Sequence, residues 1–354
     1  MNPDPILATA EPSAAPPPAP RAAAATDPAA LAAVAAEATP SASPAQAAAP
    51  DASAAGRIVR DLRPRARLLA VASGKGGVGK TNLAVNLAIA LAGTGQRVLL
   101  VDADAGLANV DLLLGQRPRG HLGHVLAGLV PVEAVVHDGP ANIRWVPGAP
   151  LPSLSASVPS TGRHAVAESP VRAAAAVLDG LAALESQHDF LILDLPAGLG
   201  ADVRWFARQA DELLLVTTPE PPALMDAYAL LKSVALADAG DGGPAGQPFA
   251  GQVGLIVNMV GHRREAGRVH GRLRATARRF LGLDVRLLGH VFCDGHVGRA
   301  VQMQQPVVLA YPHSQAAWCV KRIAGTLLDG SPRPSGRRFA FLKRLAKVLA
   351  GSDR

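Results

Sequence analysis

The chain has 354 residues, 49% of them hydrophobic and 18% charged, which is enough apolar side chain for one large domain with tails. No apolar stretch approaches the roughly 18 residues a spanning helix needs, and the amino terminus lacks the positive start of a secretory signal, so the expectation is a soluble cytoplasmic protein. A net charge of +7 and a pI near 10.0 point to an anionic partner, either nucleic acid or a membrane surface.

Residues 1–64 are dominated by Ala and Pro, as in Pro16-Pro17-Pro18 and Ala22-Ala23-Ala24-Ala25. Such a segment buries too little surface to offset its ordering entropy, and a disordered tail is expected, with transient helix around Ala29 to Glu37. Cys293 and Cys319 lie well apart and suggest neither a disulfide framework nor a C-x-x-C metal pair.

Residues 65–330 form the expected domain. Leu68-Leu69-Ala70-Val71-Ala72 reads as a buried strand, the glycines after Ser73 as a tight loop, and Asn82 to Ala92 as an apolar-rich helix. Strand, loop and helix in that order fit G-x-x-x-x-G-K-[ST], a phosphate-binding loop running through Gly74, Lys75, Gly76, Gly77, Val78, Gly79, Lys80, Thr81 and Asn82. The glycines let backbone N–H groups turn inward around an anion, and the helix N-terminus adds to the attraction. Lys80 is placed to reach the β- and γ-phosphates of ATP, and the Thr81 hydroxyl to ligate Mg²⁺. Lys75 is a second lysine that such a loop does not require. With it, K-G-G-V-G-K-T resembles the deviant Walker A ATPases, the group of MinD, ParA and FlhG. The resemblance implies that Lys75 crosses a homodimer interface to the partner's nucleotide, with two subunits sandwiching two ATP molecules.

Arg97-Val98-Leu99-Leu100-Val101 is a second strand, ending in Asp102-Ala103-Asp104. Carboxylates at the carboxyl end of a buried strand are costly unless they serve a cation, a reaction, or the start of a following helix from Leu107 to Leu114. The resemblance makes this the D-x-D of switch I. Asp104 then holds the attacking water and acts catalytically with Lys75 and Lys80, while Asp102 sits close to Mg²⁺. Gly106 to Gly115 resembles the switch I continuation of MinD and FlhG. Pro147 to Pro170 is a surface loop rich in Pro, Ser and Gly, followed by a helix from about Val171 to Ser186. Phe190-Leu191-Ile192-Leu193 then ends in Asp194, a Walker B pattern in which Asp194 binds Mg²⁺ through water. Pro196, Ala197 and Gly198 resemble switch II, with Gly198 the residue expected to move.

The strand Leu213 to Thr217 runs into Thr218-Pro219-Glu220-Pro221-Pro222, then Ala223 to Lys232 as a helix. P-E-P followed by D-A-Y-A-L-x-K resembles the FlhG group, also called FleN or YlxH, within the deviant Walker A family. Gly254 to Asn258 is a further strand whose terminal Asn258 resembles the family's adenine-reading asparagine; an amide both donates and accepts, which suits a purine edge. His262 to Phe280 is a helix with seven arginines, of which Arg264, Arg268, Arg272 and Arg279 lie near one face. That face suits DNA phosphates, an acidic protein or plain solvent, and no interleaved aromatic supports base stacking. The last strand, Leu287 to Phe292, carries Phe292 where relatives place a proline beside the adenine. A helix from about Ser314 to Leu328 closes the core. The expected fold class is α/β, a doubly wound and mostly parallel sheet of the MinD-like P-loop NTPase kind.

After a linker at residues 331–336, residues 337–354 read as a basic amphipathic helix. Phe339, Phe341, Leu342, Leu345, Val348 and Leu349 share one half, and Lys343, Arg344 and Lys347 the other. It suits an anionic bilayer or a dock on the chain's own core. F-L-K-R-L resembles the membrane-targeting tail of MinD, which implies a reversibly peripheral protein of the inner membrane. The FlhG resemblance implies an ATP-dependent switch ATPase controlling flagellar number and placement, with FlhF, flagellar switch-ring proteins and a flagellar transcription activator as partners. FlhG proteins that stimulate FlhF begin with a short helix bearing an Asp-Gln pair, and residues 1–64 contain none. A MinD-type division-site regulator and a ParA-type DNA-segregation ATPase are the alternatives, and the arginine helix leaves DNA open as a partner.

Overall fold

The computed structural model describes residues 66–104, 109–126, 129–148, 180–182, 184–236 and 249–330. The expected tail, linker, terminal amphipathic helix and most of the expected 147–170 loop lie outside them, as does most of the helix expected around residue 175.

Eight strands form one sheet. In chain order they are β1 (Arg67–Ser73), β2 (Val98–Asp102), β3 (His137–Asp138), β4 (Arg144–Val146), β5 (Phe190–Ala197), β6 (Glu212–Thr217), β7 (Gln252–Val260) and β8 (Val285–Phe292). The spatial order is β3-β4-β2-β5-β1-β6-β7-β8, parallel throughout except where β3 turns back on β4. Central strands of a parallel sheet are covered on both faces, which is why β1, β2 and β6 are buried at every residue and read as unbroken apolar runs.

The alternation within those runs sorts two cores. Leu68, Ala70 and Ala72 of β1, with Leu191, Leu193 and Leu195 of β5, face one way. Leu69 and Val71, with Phe190 and Ile192, face the other. Helix α1 (Lys80–Ala92) covers the second face, beside short α2 (Val110–Leu114); α3 (Leu122–Leu126) follows in the chain. The first face is covered by α4 (Ala201–Gln209), α5 (Pro221–Ala235) and α6 (Arg263–Leu281). After β8, α7 (Gly295–Gln302) and α8 (Val307–Ala310) lead to α9 (Gln315–Asp329), which returns to the second face against α1. Helix α6 buries Ala266, Val269, Leu273 and Ala277, a stripe at spacings of three and four, and leaves its arginines outside.

The doubly wound architecture is as expected. The sequence reading had no counterpart for β3, β4, α3, α4, α7 and α8: runs of two to five residues carry no measurable period, the apolar residues of α4 (Val203, Trp205, Phe206, Ala207) are nearly contiguous, and α7 buries only Ala300. Helix α2 is described from Val110, with residues 107 and 108 outside the described set.

At the end of the sheet away from the glycine loop, Arg67 is buried at the start of β1. It pairs with the fully buried Glu212 of β6 and donates to the Leu327 carbonyl at 2.6 Å. Arg286 of β8 donates to the other Glu212 oxygen at 2.9 Å. One carboxylate thus holds three elements that are far apart in sequence. At the start of α3, the His121 and His124 rings stack at 3.9 Å, and each Nδ1 accepts a backbone N–H, from Gly123 and His121 respectively. Burial, then the neighbouring His124, lowers the His121 pKa to about 4.

Removing one member of a buried pair leaves the other charge uncompensated. Glu212→Ala should therefore cost about 3–5 kcal/mol in urea unfolding at neutral pH, and a loss under about 1 kcal/mol would contradict this assignment. His121 binds its proton more weakly folded than at its ordinary 6.5, so its contribution is complete above that pH and lost as pH falls toward about 4. His121→Asn, whose side-chain oxygen can still accept the Gly123 N–H, should show a shallower decline over that window in pH-dependent unfolding.

Candidate functional site

The glycine loop leaves β1 between its neighbours β5 and β6, at the carboxyl ends of the strands. In an open α/β sheet that crevice is where the chain reverses direction on the sheet and where ligands bind. Loop geometry follows from the local residues. Gly79 takes φ 82°, and a Cβ there would lie 2.5 Å from Asn258 Nδ2, which itself donates to the Val78 carbonyl at 2.8 Å. At Gly74 a Cβ would fall 2.1 Å from the Asp226 carbonyl oxygen, so the first turn of the loop rests directly on α5. Ser73 Oγ donates to the Lys75 carbonyl at 3.0 Å and straps the turn from within.

Beneath the loop, Lys80 Nζ donates to Asp194 Oδ1 at 2.7 Å and lies 3.3 Å from Thr81 Oγ1. Both members of the ion pair are buried. Burial pushes the Asp194 carboxyl up, against the charge of Lys80, and its Oδ2 is buried with no hydrogen-bond partner. Asp102 sits opposite Asp194 on the adjacent strand. Burial, then Asp194, raises its pKa to about 7. Its oxygens accept backbone N–H groups from Asp104 at 3.1 Å, Asn109 at 3.1 Å and Val110 at 3.3 Å. Asp102 therefore closes the turn between β2 and α2 and satisfies the N-terminus of α2. Asp104 is half-buried beside it, close enough to Asp194 to oppose that residue's ionisation.

Lys75 points away from this buried group. Its Nζ lies 3.4 Å from Glu220 Oε2, an exposed pair at the mouth of α5. Gly198, φ 108°, donates its N–H to the Ser73 carbonyl at 2.9 Å, joining the segment after β5 to the end of β1. Asn82 accepts from Asn86 within α1, and Asn86 in turn accepts the Val308 N–H at 3.0 Å. Phe292 packs edge-on against His290 at the end of β8. The structure thus gathers Gly74 to Asn82, Asp102, Asp104, Asp194, Gly198 and Asn258 at one end of the sheet. The nine residues assigned to membrane binding, from Phe339 to Val348 and Leu349, lie outside the described residues. Two contacts were not legible in the sequence: Glu220 against Lys75, and the Asp226 carbonyl against Gly74. The P-E-P and D-A-Y letters mark the segment, but not which residues it touches.

The donors suit a phosphate-bound Mg²⁺ better than a cage made wholly of protein. An orphaned carboxylate oxygen and a neighbouring hydroxyl are hard ligands, while among the described residues no group of three or more His, Cys, Asp or Glu is arranged to hold a metal ion.

Because Gly79 is both left-handed and pressed on Asn258, Gly79→Ala should lower stability by about 1–3 kcal/mol. Mg²⁺ and ATP are expected to raise the unfolding midpoint of the wild type and to leave that of Gly79→Ala unchanged. Gly76→Ala, where a Cβ meets nothing within 4 Å, should stay within about 0.5 kcal/mol of wild type in the same unfolding assay without nucleotide.

A family model described as ParA, NUBPL iron-transfer P-loop NTPase, matches residues 65–328. The chain is 36% identical over 284 residues to the antiactivator FleN of Pseudomonas aeruginosa, covering 79% of this chain and 94% of FleN. It is 28% identical to the flagellum site-determining protein YlxH of Helicobacter pylori, covering 82% and 92% of the two chains. Among solved structures, the septum site-determining protein MinD complexed with Mg-ADP from Pyrococcus horikoshii superposes with a TM-score of 0.58 at 26% identity, over 75% of this chain and 98% of that one. Glycine loop, buried Lys80 and Asp194, and these similarities agree: the chain belongs to the MinD/ParA family of P-loop NTPases.

Proposed function

We propose that the protein is a Mg²⁺-dependent ATPase that switches between monomer and ATP-bound homodimer and so controls flagellar number and placement. The observation that carries the chemistry is the buried Lys80 and Asp194 pair, with the orphaned Asp194 Oδ2, directly beneath a loop whose N–H groups can face an anion. The flagellar reading is supported by the FleN and YlxH similarities, which span nearly the whole of each relative, and by the P-E-P to D-A-Y stretch.

In this reading Lys80 exchanges Asp194 for the β- and γ-phosphates. Thr81, with Asp194 and Asp102 behind it, would hold Mg²⁺, which would supply charge neutralisation on those phosphates. Asp104 orients the attacking water, and turnover is slow. Lys75 leaves Glu220 and reaches the nucleotide of the second subunit. Little stability is lost in that exchange, since an exposed pair is worth about 0–1 kcal/mol. Asn258 faces the adenine while bracing Val78, and Gly198 moves with the γ-phosphate.

The basic helix at 337–354 places the dimer on anionic lipid of the inner membrane, two copies binding better than one through effective concentration. Hydrolysis releases the dimer to the cytoplasm. FlhF, switch-ring proteins and a flagellar transcription activator are the partners this implies, the last supported by the similarity to the antiactivator FleN.

Asp104→Ala should keep ATP binding, reduce hydrolysis by about a hundredfold or more, and sediment with anionic liposomes in the presence of ATP. Failure to sediment would remove the membrane switch. In cells lacking the gene, electron microscopy should find extra or misplaced flagella; minicells with normal flagella would instead indicate a division-site regulator.

A further inference from the structure

The segment Pro219 to Met225 does more than approach the glycine loop. Between the start of α5 and the packed face of α6 lies a cleft of about 430 Å³. One wall is apolar, made by Pro219, Pro221, Leu224 and Met225, and Met225 is 68% exposed, unusual for a methionine at the head of a packed helix. The opposite rim carries Arg268 and Arg272, one helical turn apart.

Neither guanidinium has a carboxylate partner among the described residues, whereas Arg274 on the same helix is held by Asp284 at 2.8 Å. The acid nearest to them in the cleft, Glu265, is engaged at the helix start, where its Oε2 accepts the Gly261 N–H at 2.8 Å. An apolar floor edged by two unpaired guanidiniums matches a carboxylate-bearing segment with an apolar anchor. The guanidiniums bind carboxylates in a fork, and the floor covers the anchor. Nucleic acid would engage the arginines but leave the apolar wall wet, and no aromatic lines the cleft to stack a base.

We propose that this cleft is a docking site for an acidic segment of a partner protein, carrying at least one large apolar side chain. Pro219 and Pro221 flank Glu220, the residue that holds Lys75, and the Asp226 carbonyl beneath Met225 abuts Gly74. An occupant therefore presses on the same first two turns of α5 that touch the loop. The inference rests on the cleft and stands apart from the flagellar reading.

The test uses the full chain and a fluorescein-labelled peptide of Glu and Asp with Leu at helical spacing. Its counterpart with Lys for every acid, a short duplex DNA and anionic phospholipid vesicles complete the set of probes. The acidic peptide should bind and the Lys counterpart should not. R268E/R272E should weaken the acidic peptide by about tenfold or more, and M225A by less, with basal ATP hydrolysis unchanged in both, since all three side chains are exposed. Equal affinity for R268E/R272E and wild type overturns the proposal. So does no acidic-peptide binding at about 1 mM, or binding of the duplex or vesicles through these two arginines in its place. A wild type that binds the peptide but hydrolyses no ATP would refute the ATPase reading and leave the docking site standing.

Discussion

The ion pair of Lys80 with Asp194 is the constraint around which the rest of the site is arranged. Asp102 and Asp194 lie side by side on neighbouring strands, each almost wholly buried, and a single lysine offsets both. Burial raises both pKa values, with the Asp194 charge adding to the rise at Asp102 and the Asp104 charge adding to the rise at Asp194. Asp102 relieves part of the cost by accepting three backbone N–H groups. Asp194 keeps one oxygen unsatisfied. An unsatisfied buried acceptor is a destabilising feature, and in a family of nucleotide-binding proteins it sits where a cation and its water would satisfy it.

Such a destabilised end needs compensation elsewhere. The opposite end of the sheet supplies it through Glu212, which joins β1 and β8 by two guanidiniums, and through the close-packed apolar layers on either face. A parallel sheet assembles from segments distant in sequence, so contacts that fix which strand lies beside which carry weight beyond their own energy. The Arg67, Glu212 and Arg286 group does this for β1, β6 and β8 at once. The division of labour is spatial: rigidity at the amino ends of the strands, chemistry at the carboxyl ends.

Helix α5 links that chemistry to the surface. Its entry holds Lys75 through Glu220, its first turns carry the carbonyl that only a glycine at position 74 can meet, and its outer wall forms the cleft with α6. These contacts are short and local. The contacts to the loop and the lining of the cleft lie within about two turns of one helix.

Much of this was legible in the sequence because it depends on residues close together in the chain. The strand, glycine loop and helix from Arg67 to Ala92 are set by an apolar run, by glycines and by a lysine and threonine at fixed spacing, and Asp102 and Asp194 announce themselves as charges following apolar runs, although the structure carries β5 on past Asp194 to Ala197. The arginine face of α6 followed from helical spacing alone. The tertiary structure decided what no spacing encodes. It turned Asp102 into the cap of α2, made Asn258 a brace for Val78, set Glu220 against Lys75 145 residues away, and opened a cleft between α5 and α6. Periodicity reports which way a side chain faces within its own element. Which partner it meets depends on the order of strands in the sheet and the packing of helices on it, and those arise only when the whole chain has folded.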